Sequence, residues 1–427
     1  MAKKKLLFFS IFIIIILVFV LTIYNIIYKN NNMYLNNKDE APNFISIMLE
    51  ETAGSGEYKV SKSNKWPSKG YVFNKEMSYC NNGSTLTWNE NDNSVSVNIN
   101  KTDKCQVYFD IYVPTIADYC TSGTDLATCV KNFGDQGSAV SNIYIHNSSL
   151  ANGAGDNSYR YAGPSDSVNN FVCFGSTTSP CPEDNLYRII GVIDGKVKLI
   201  KFDYATSALL GTNGDYKGSD TPNSTYYKGS LTSVNTYYWN YKASNKLSNT
   251  WSTSLLNKIN LNTNYLNNIG TTWSNMIEDA TWKVSGHSTN AITPREMYTA
   301  EITNATKTYG PSDGTSKIGL MYASDYGFAA SPSAWTTTLR NYYDKDANGT
   351  SIITINWMFM GDYDWTISPY TSKSVTVFYL DNNGSVYYTE RETSNSGFGT
   401  RPVLYLKASV LYAGGSGTKD SPITLVV

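Results

Sequence analysis

The stretch LYRIIGVIDGKVKLIKF, residues 186–202, sets the reading of the larger part of this chain. Leu186 to Val192 and Lys196 to Phe202 read as two strands, with Asp194-Gly195 between them as a tight hairpin turn. Just ahead, Cys173 and Cys181 can close a loop. Further on, Leu255, Ile259 and Tyr265, then Trp273, Met276, Ile277 and Ala280, fall at helical spacing and predict helices over 255–269 and 273–282. Thr293-Pro294-Arg295-Glu296 is a helix start, with Thr293 as N-cap and Pro294 at the first position. Val375 to Leu380, Ser385 to Thr389, Pro402 to Leu406 and Ile423 to Val427 return to strand, and Asn383-Gly384 turns the first of these into the second. Residues 143–427 are therefore expected to form one α+β domain, with no tandem repeat at a fixed period.

Upstream, the pattern changes to period two. Val95, Val97 and Ile99 alternate with polar residues, as do Cys105, Val107, Phe109 and Ile111, and Asn82-Gly83 supplies a turn. Residues 42–113 thus read as a small antiparallel β-domain, and 114–142 as a short helix and linker. Residues 31–41 are a polar stalk. Residues 1–30 read as a cytoplasmic tip and a transmembrane anchor. Lys3, Lys4 and Lys5 precede an uncharged run from Leu6 to Ile27. Its length of about 33 Å matches a hydrocarbon core of about 30 Å. The lysines hold the N-terminus inside, which puts the remainder outside the cell. No small-x-small cleavage site and no lipid-accepting cysteine follow the run, so an uncleaved single-pass anchor is expected, with the membrane as its partner.

Composition excludes several classes. Charged residues are only 16% of the chain, against roughly 25% in ordinary globular proteins. Aromatics reach 14%, with 34 tyrosines, and the net charge is -1. That balance offers no basic field for nucleic acid and is far from the composition of a disordered chain. All six cysteines (Cys80, Cys105, Cys120, Cys129, Cys173, Cys181) lie beyond the apolar run. An even count outside the membrane favours disulfides, and the simplest pairing joins nearest neighbours. No CxxC occurs, so zinc is not expected.

Four stretches carry a resemblance: Asn185-Leu-Tyr-Arg-Ile-Ile-Gly-Val192, Ile318-Gly-Leu-Met-Tyr-Ala-Ser-Asp-Tyr-Gly327, Trp365-Thr-Ile-Ser-Pro369 and Thr400-Arg-Pro-Val-Leu-Tyr-Leu406. They resemble membrane-anchored surface proteins of gut-dwelling Gram-positive bacteria. The C-terminal part is similar to a domain family of unknown function of C-type-lectin-like, formylglycine-generating-enzyme-like type. The resemblance implies a C-type-lectin-like fold for 143–427. Ile367 stands where that pattern commonly has Arg, and Phe398-Gly399-Thr400 separates the aromatic from Arg401. The oxidative chemistry of that type uses cysteines near the end of the domain. None follows Cys181, so that chemistry is excluded, and fold alone carries no function.

The remaining candidates point to recognition rather than catalysis. No nucleophile elbow, HExxH or kinase set is present. Asp362 and Asp364 flank Tyr363, and paired acids are the equipment of glycosidases. The same pair suits a solvated loop that contacts a ligand. Tyr370, Tyr379, Tyr387 and Tyr388 lie amid Ser, Asn and Thr, the chemistry of adaptable binding surfaces. Filler in ordinary strands is the alternative. Trp365, Pro369 and Arg401 read as structural, Arg401 as a buried guanidinium locking the closing strands. Asp344 to Gly349 resembles the start of a calcium loop, but Ile355 stands where a bidentate Glu is required, so no cofactor is expected. The expectation is a non-catalytic, single-pass surface protein that binds an extracellular glycan or protein. The alternatives are a glycan-active enzyme using Asp362 or Asp364, and an envelope protein acting by assembly.

Overall fold

The structure, a computed structural model, describes residues 44–67, 70–89, 94–98, 102–211, 227–231, 234–240, 249–304, 314–388 and 397–427. The expected anchor and stalk lie outside the described residues. Contacts divide the chain into two units, at Val113 and Pro114.

In the first unit, strands are ordered Tyr58–Val60, Phe44–Glu50, Lys104–Ile111, Tyr71–Cys80. Phe44–Leu49 runs parallel to Lys104–Phe109, so this sheet is mixed, not antiparallel as expected. The physical reason lies in the long return, which brings 104–111 back between two strands that local alternation cannot rank. The Cys80–Cys105 disulfide joins two directly paired residues. Its core is Ile47, Val95, Val107 and Phe109, covered by Trp66, Phe73 and Trp88. Asp103 holds the Asn82-Gly83 turn, accepting from the backbone N–H of Asn82 at 2.8 Å and of Ser84 at 2.9 Å.

The second unit is built on the 186–202 hairpin. Leu186–Ile193 and Lys196–Lys201 pair antiparallel, and Asp194 and Gly195 take φ of 50° and 76°, as a two-residue primed turn requires. They lie at the centre of a seven-stranded sheet ordered Ile318–Gly319, Val403–Tyr405, Lys196–Lys201, Leu186–Ile193, Tyr159–Tyr161, Ile143–Ile145, with Phe171–Cys173 also on the hairpin. Every residue of Leu186–Ile193 is buried, as is every residue of Val197–Lys201. Both faces of the hairpin are therefore covered. Successive side chains point to opposite faces, so Lys198 and Lys201 are desolvated on opposite sides of one strand.

This architecture corrects the expected one. The unit is mostly β, with several small sheets besides the large one: Tyr227–Leu231 with Val234–Tyr238 and Gly397–Phe398, Ala280–Trp282 with Gly314–Ser316, Asp364–Pro369 with Val377–Leu380 and Val386–Tyr387, and Tyr412–Gly414 with Thr424–Leu425. Among the described residues no helix is long and apolar enough to cross a membrane. These sheets overturn the expectation of a small antiparallel β-domain plus a larger α+β C-type-lectin-like domain, while the anchor helix of that expectation lies outside the described residues. The predicted helix over 273–282 is one turn, Thr271–Ser274, followed by strand Ala280–Trp282, whose neighbour Gly314–Ser316 supplies hydrogen bonds that a helix would have made internally. The 255–269 segment is helical but wide-turned over Leu256–Tyr265. Residues 114–142 pack into the core, through Ile116, Leu126, Val130 and Phe133. The longest described α-helix, Leu126–Gly134, starts at Asp125, whose carboxylate accepts from Thr128 N–H.

Indoles replace aliphatic packing at the centre. Trp239, Trp251, Trp282, Trp335, Trp357 and Trp365 are fully buried. Five of these donate their N–H to backbone carbonyls: Trp239 to Thr366, Trp282 to Ser316, Trp335 to Ala330, Trp357 to Tyr161 and Trp365 to Tyr237. Each of these five indoles thereby buries a large apolar surface with its N–H satisfied.

Gly191 sits at the register shift of the hairpin, where a Cβ would lie 2.1 Å from the Tyr159 carbonyl oxygen. Gly191→Ala is expected to push strand Tyr159–Tyr161 outward and cost about 1–3 kcal/mol. A lowered urea midpoint with an unchanged slope would report it; an unchanged midpoint would contradict the close packing.

Candidate functional site

Strand Tyr159–Tyr161 and the hairpin bring Arg160 and Lys198 to one face of the sheet, and Asp325 meets both. Asp325 is the third residue of helix Ala323–Ala329, where its carboxylate accepts the Tyr322 N–H at 3.0 Å. One carboxylate oxygen, Oδ2, lies 2.5 Å from Lys198 Nζ, and the other, Oδ1, 3.1 Å from Arg160 NH1. Arg160 also donates to Asp156 at 3.0 Å and to the Ser158 hydroxyl at 2.8 Å. The Tyr298 hydroxyl donates to Asp156 at 2.8 Å. Lys198, Arg160 and Asp325 are each no more than 2% exposed. The Lys198 ammonium lies 4.5 Å from the centre of the Tyr322 ring, 5.4 Å from that of Tyr405 and 5.8 Å from that of Trp282.

Glu301 sets the helix that carries Asp325. It accepts from the first N–H groups of that helix, Ala323 at 3.1 Å and Ser324 at 3.3 Å, and from the Ser368 hydroxyl. These N–H groups have no partner within the helix, so a buried carboxyl serves them instead.

Burial dominates the electrostatics. It pulls the Lys198 amine below its usual range, and Asp325 restores only part of the shift. It pushes Glu301 up to about 7, with the Ser324 and Ser368 contacts pulling the other way. Burial also works against the Arg160 charge, but Asp156 and Asp325 outweigh it and hold the guanidinium firmly protonated. Nearby, burial and then the Arg160 charge hold His146 down at about 3. Its Nδ1 accepts from Ala154 N–H at 3.0 Å, and its ring packs edge-on to Phe328.

A cavity of about 90 Å³ opens beside this cluster. Lys198, Asp325, Ser324 and Tyr405 line its inner wall, and exposed Thr281 and Lys283 stand at its mouth.

The residues singled out from sequence lie elsewhere. Asp364 is buried, 2.5 Å from Arg401 Nε, and Arg401 also donates to the Met358 carbonyl at 2.9 Å. Burial pushes Asp364 up to about 6, with Arg401 opposing. Asp362 is half-buried and does not join that pair; its backbone carbonyl accepts the Tyr204 hydroxyl at 3.1 Å. Tyr363 stacks on Phe398, and Trp365, Pro369 and Tyr379 are buried. Tyr370 and Tyr388 stack on each other at 4.0 Å, half-exposed beside Tyr387. The acidic turn at 344–349 uses its own carboxylate: Asp346 accepts from Asn348 and Thr350 N–H. Among the described residues the one grouping of metal-ligand types is Cys80, Asp103 and Cys105, and both its sulfurs are in a disulfide. The other two disulfides are Cys120–Cys129 and Cys173–Cys181, and no cysteine is free.

Sequence reasoning missed Arg160, Lys198, Glu301 and Asp325. One signal was present: Lys198 interrupts a strand that is apolar on both faces once paired.

No protein-family model, curated protein or solved structure matches this chain. Its function rests on the chemistry of its own residues.

The two buried groups give opposite pH dependences. Glu301 has its proton held more tightly folded than unfolded between 4.5 and about 7. The stability it contributes is present below 4.5 and lost as pH rises to about 7. His146 binds its proton less tightly folded, so its contribution is present above 6.5 and lost as pH falls towards 3. Glu301→Gln is expected to remove a decline of about 3 kcal/mol between pH 4.5 and 7, leaving the smaller shares of Asp364, in the same sense, and of His146, in the opposite one. Denaturation midpoints measured across that range check it; an undiminished slope would refute the assignment.

Proposed function

We propose that the chain is a non-catalytic recognition protein working outside the cytoplasm, which receives a short polar group of a glycan or protein ligand in the cavity beside Lys198 and Asp325. The observation that carries the reading is the cavity itself. Its volume of about 90 Å³ compares with about 30 Å³ for each water in the liquid, and with about 300–1,000 Å³ for pockets that enclose whole small molecules. It suits a substituent, such as an acetamido or carboxylate group, with the rest of the ligand lying across the mouth. Tyrosine rings share the wall with Lys198 and Asp325, whose charges already neutralise one another. Such a wall favours a polar, uncharged or singly charged group over a bare ion.

Three disulfides with no thiol left over support the location, since such bonds persist in oxidising compartments. The enzymatic alternative at Asp362 and Asp364 has less support, because Arg401 holds Asp364 in the core.

The test is a glycan and protein array probed with the full chain in detergent, followed by Thr281→Trp on whatever binds. The tryptophan closes the mouth without touching the buried ion pairs. At least a tenfold loss of affinity is expected; full retention would remove the cavity from the reading, and a silent array would remove recognition itself.

A further inference from the structure

We propose that the side chains of Lys198 and Asp325 join in an amide bond, an internal cross-link between the central hairpin and helix Ala323–Ala329. The inference goes beyond ligand recognition and does not depend on it.

The reacting groups are already in place. Lys198 Nζ lies 2.5 Å from Asp325 Oδ2, with side-chain exposures of 1% and 2%. Tyr322, Tyr405 and Trp282 surround the amine. In water an ammonium and a carboxylate do not condense, because each is stabilised as an ion. A desolvated site removes that stabilisation from the ammonium and favours the neutral amine. Burial draws the Lys198 amine in that direction. Groups fixed in such proximity react as though at very high concentration.

The atoms balance without an outside reagent. Nζ passes one proton to Oδ2 across their contact, giving an amine and a carboxylic acid. The amine lone pair attacks Cγ. Negative charge develops on Oδ1, the oxygen that Arg160 NH1 holds at 3.1 Å. As the Nζ–Cγ bond completes, a second proton passes from Nζ to the Oδ2 hydroxyl, the Cγ–Oδ2 bond breaks, and Oδ2 departs as water, leaving one hydrogen on the amide nitrogen. The adjoining cavity, open past Thr281 and Lys283, gives that water a way out.

The molecule contains its own comparison. Lys201 is equally buried on the opposite face of the same strand, but among the described residues its paired carboxylate, on Asp184, is 3.9 Å away, and the Asp184 side chain is 66% exposed. A solvated, distant carboxylate meets neither condition, so Lys201 stays free. Arg401 and Asp364 form a buried pair as well, and a guanidinium is not a nucleophile of this kind.

Mass spectrometry decides the matter on the full chain, reduced and alkylated. The intact mass is expected one water below that of the linear sequence. After trypsin, peptide Val197–Lys201, uncut at Lys198, should be joined to peptide Ile318–Arg340, with fragment ions placing the branch at Lys198 and Asp325. Lys198→Met should yield the linear 318–340 peptide. Succinimide formation at an Asp-Gly bond such as Asp194-Gly195 would also remove one water but join nothing, so the branched peptide is the criterion. Cleavage after Lys198 with a linear 318–340 peptide in the wild-type chain would overturn the proposal. A branch at Lys201, or one that persists in Lys198→Met, would overturn it as well.

Discussion

The second unit depends on one constraint: a strand covered on both faces that nonetheless carries lysines. In Val197–Lys201 every position is shielded from water, so Lys198 must find a counter-charge within the fold. Asp325 provides it, and Asp325 is fixed only because Tyr322 N–H and Glu301 set the first turn of its helix. Arg160 is drawn to the same carboxylate from strand Tyr159–Tyr161, on the far side of Leu186–Ile193. Desolvation of two cations around one shared anion would be costly alone; Asp156 supplies the second negative charge. The placement of strand, helix start and the 294–304 segment thus follows from neutralising one side chain.

The same economy governs the aromatic residues. A chain with few charges and 34 tyrosines could present them outward. Here many turn inward: Tyr161, Tyr187, Tyr237, Tyr265, Tyr322, Tyr326 and Tyr342 are buried. Tyr237, Tyr326 and Tyr342 donate their hydroxyls to the backbone carbonyls of Gly211, Gly384 and Gly327, and Tyr187 and Tyr265 bond to each other. Large rings with a polar tip can cover loops that aliphatic side chains would leave unsatisfied. Sheets of two or three short strands can then pack together without long helices between them.

This explains how much was legible. The 186–202 hairpin is visible because its turn is a local dipeptide with a required backbone geometry, and the Asn383-Gly384 hairpin is visible through Gly384, which alone takes positive φ in a longer loop closed between Asp381 and Ser385. The capping box at Thr293 and Glu296 is equally local, and both its hydrogen bonds are formed. The Trp273–Trp282 helix failed because Ala280–Trp282 pairs with Gly314–Ser316, a distant partner that helical spacing does not record. The parallel pairing of Phe44–Leu49 with Lys104–Phe109 is set by residues about sixty positions apart, which no periodicity records. The buried charge cluster was hidden for a related reason. Arg160, Lys198, Glu301 and Asp325 are ordinary surface residue types, scattered over the chain, and only the fold brings them together.

The three disulfides span 25, 9 and 8 positions, each within its own neighbourhood. The central hairpin is different: its outer neighbour is Val403–Tyr405, some two hundred residues downstream. During vectorial synthesis the local clips can close early, while the middle of the large sheet keeps an open edge until nearly the whole chain has emerged. An unpaired edge of that kind invites pairing with another chain. The order in which this protein is made therefore bears on its solubility as much as its finished fold does, and a chain cut short before residue 403 would be left holding its most adhesive strand uncovered.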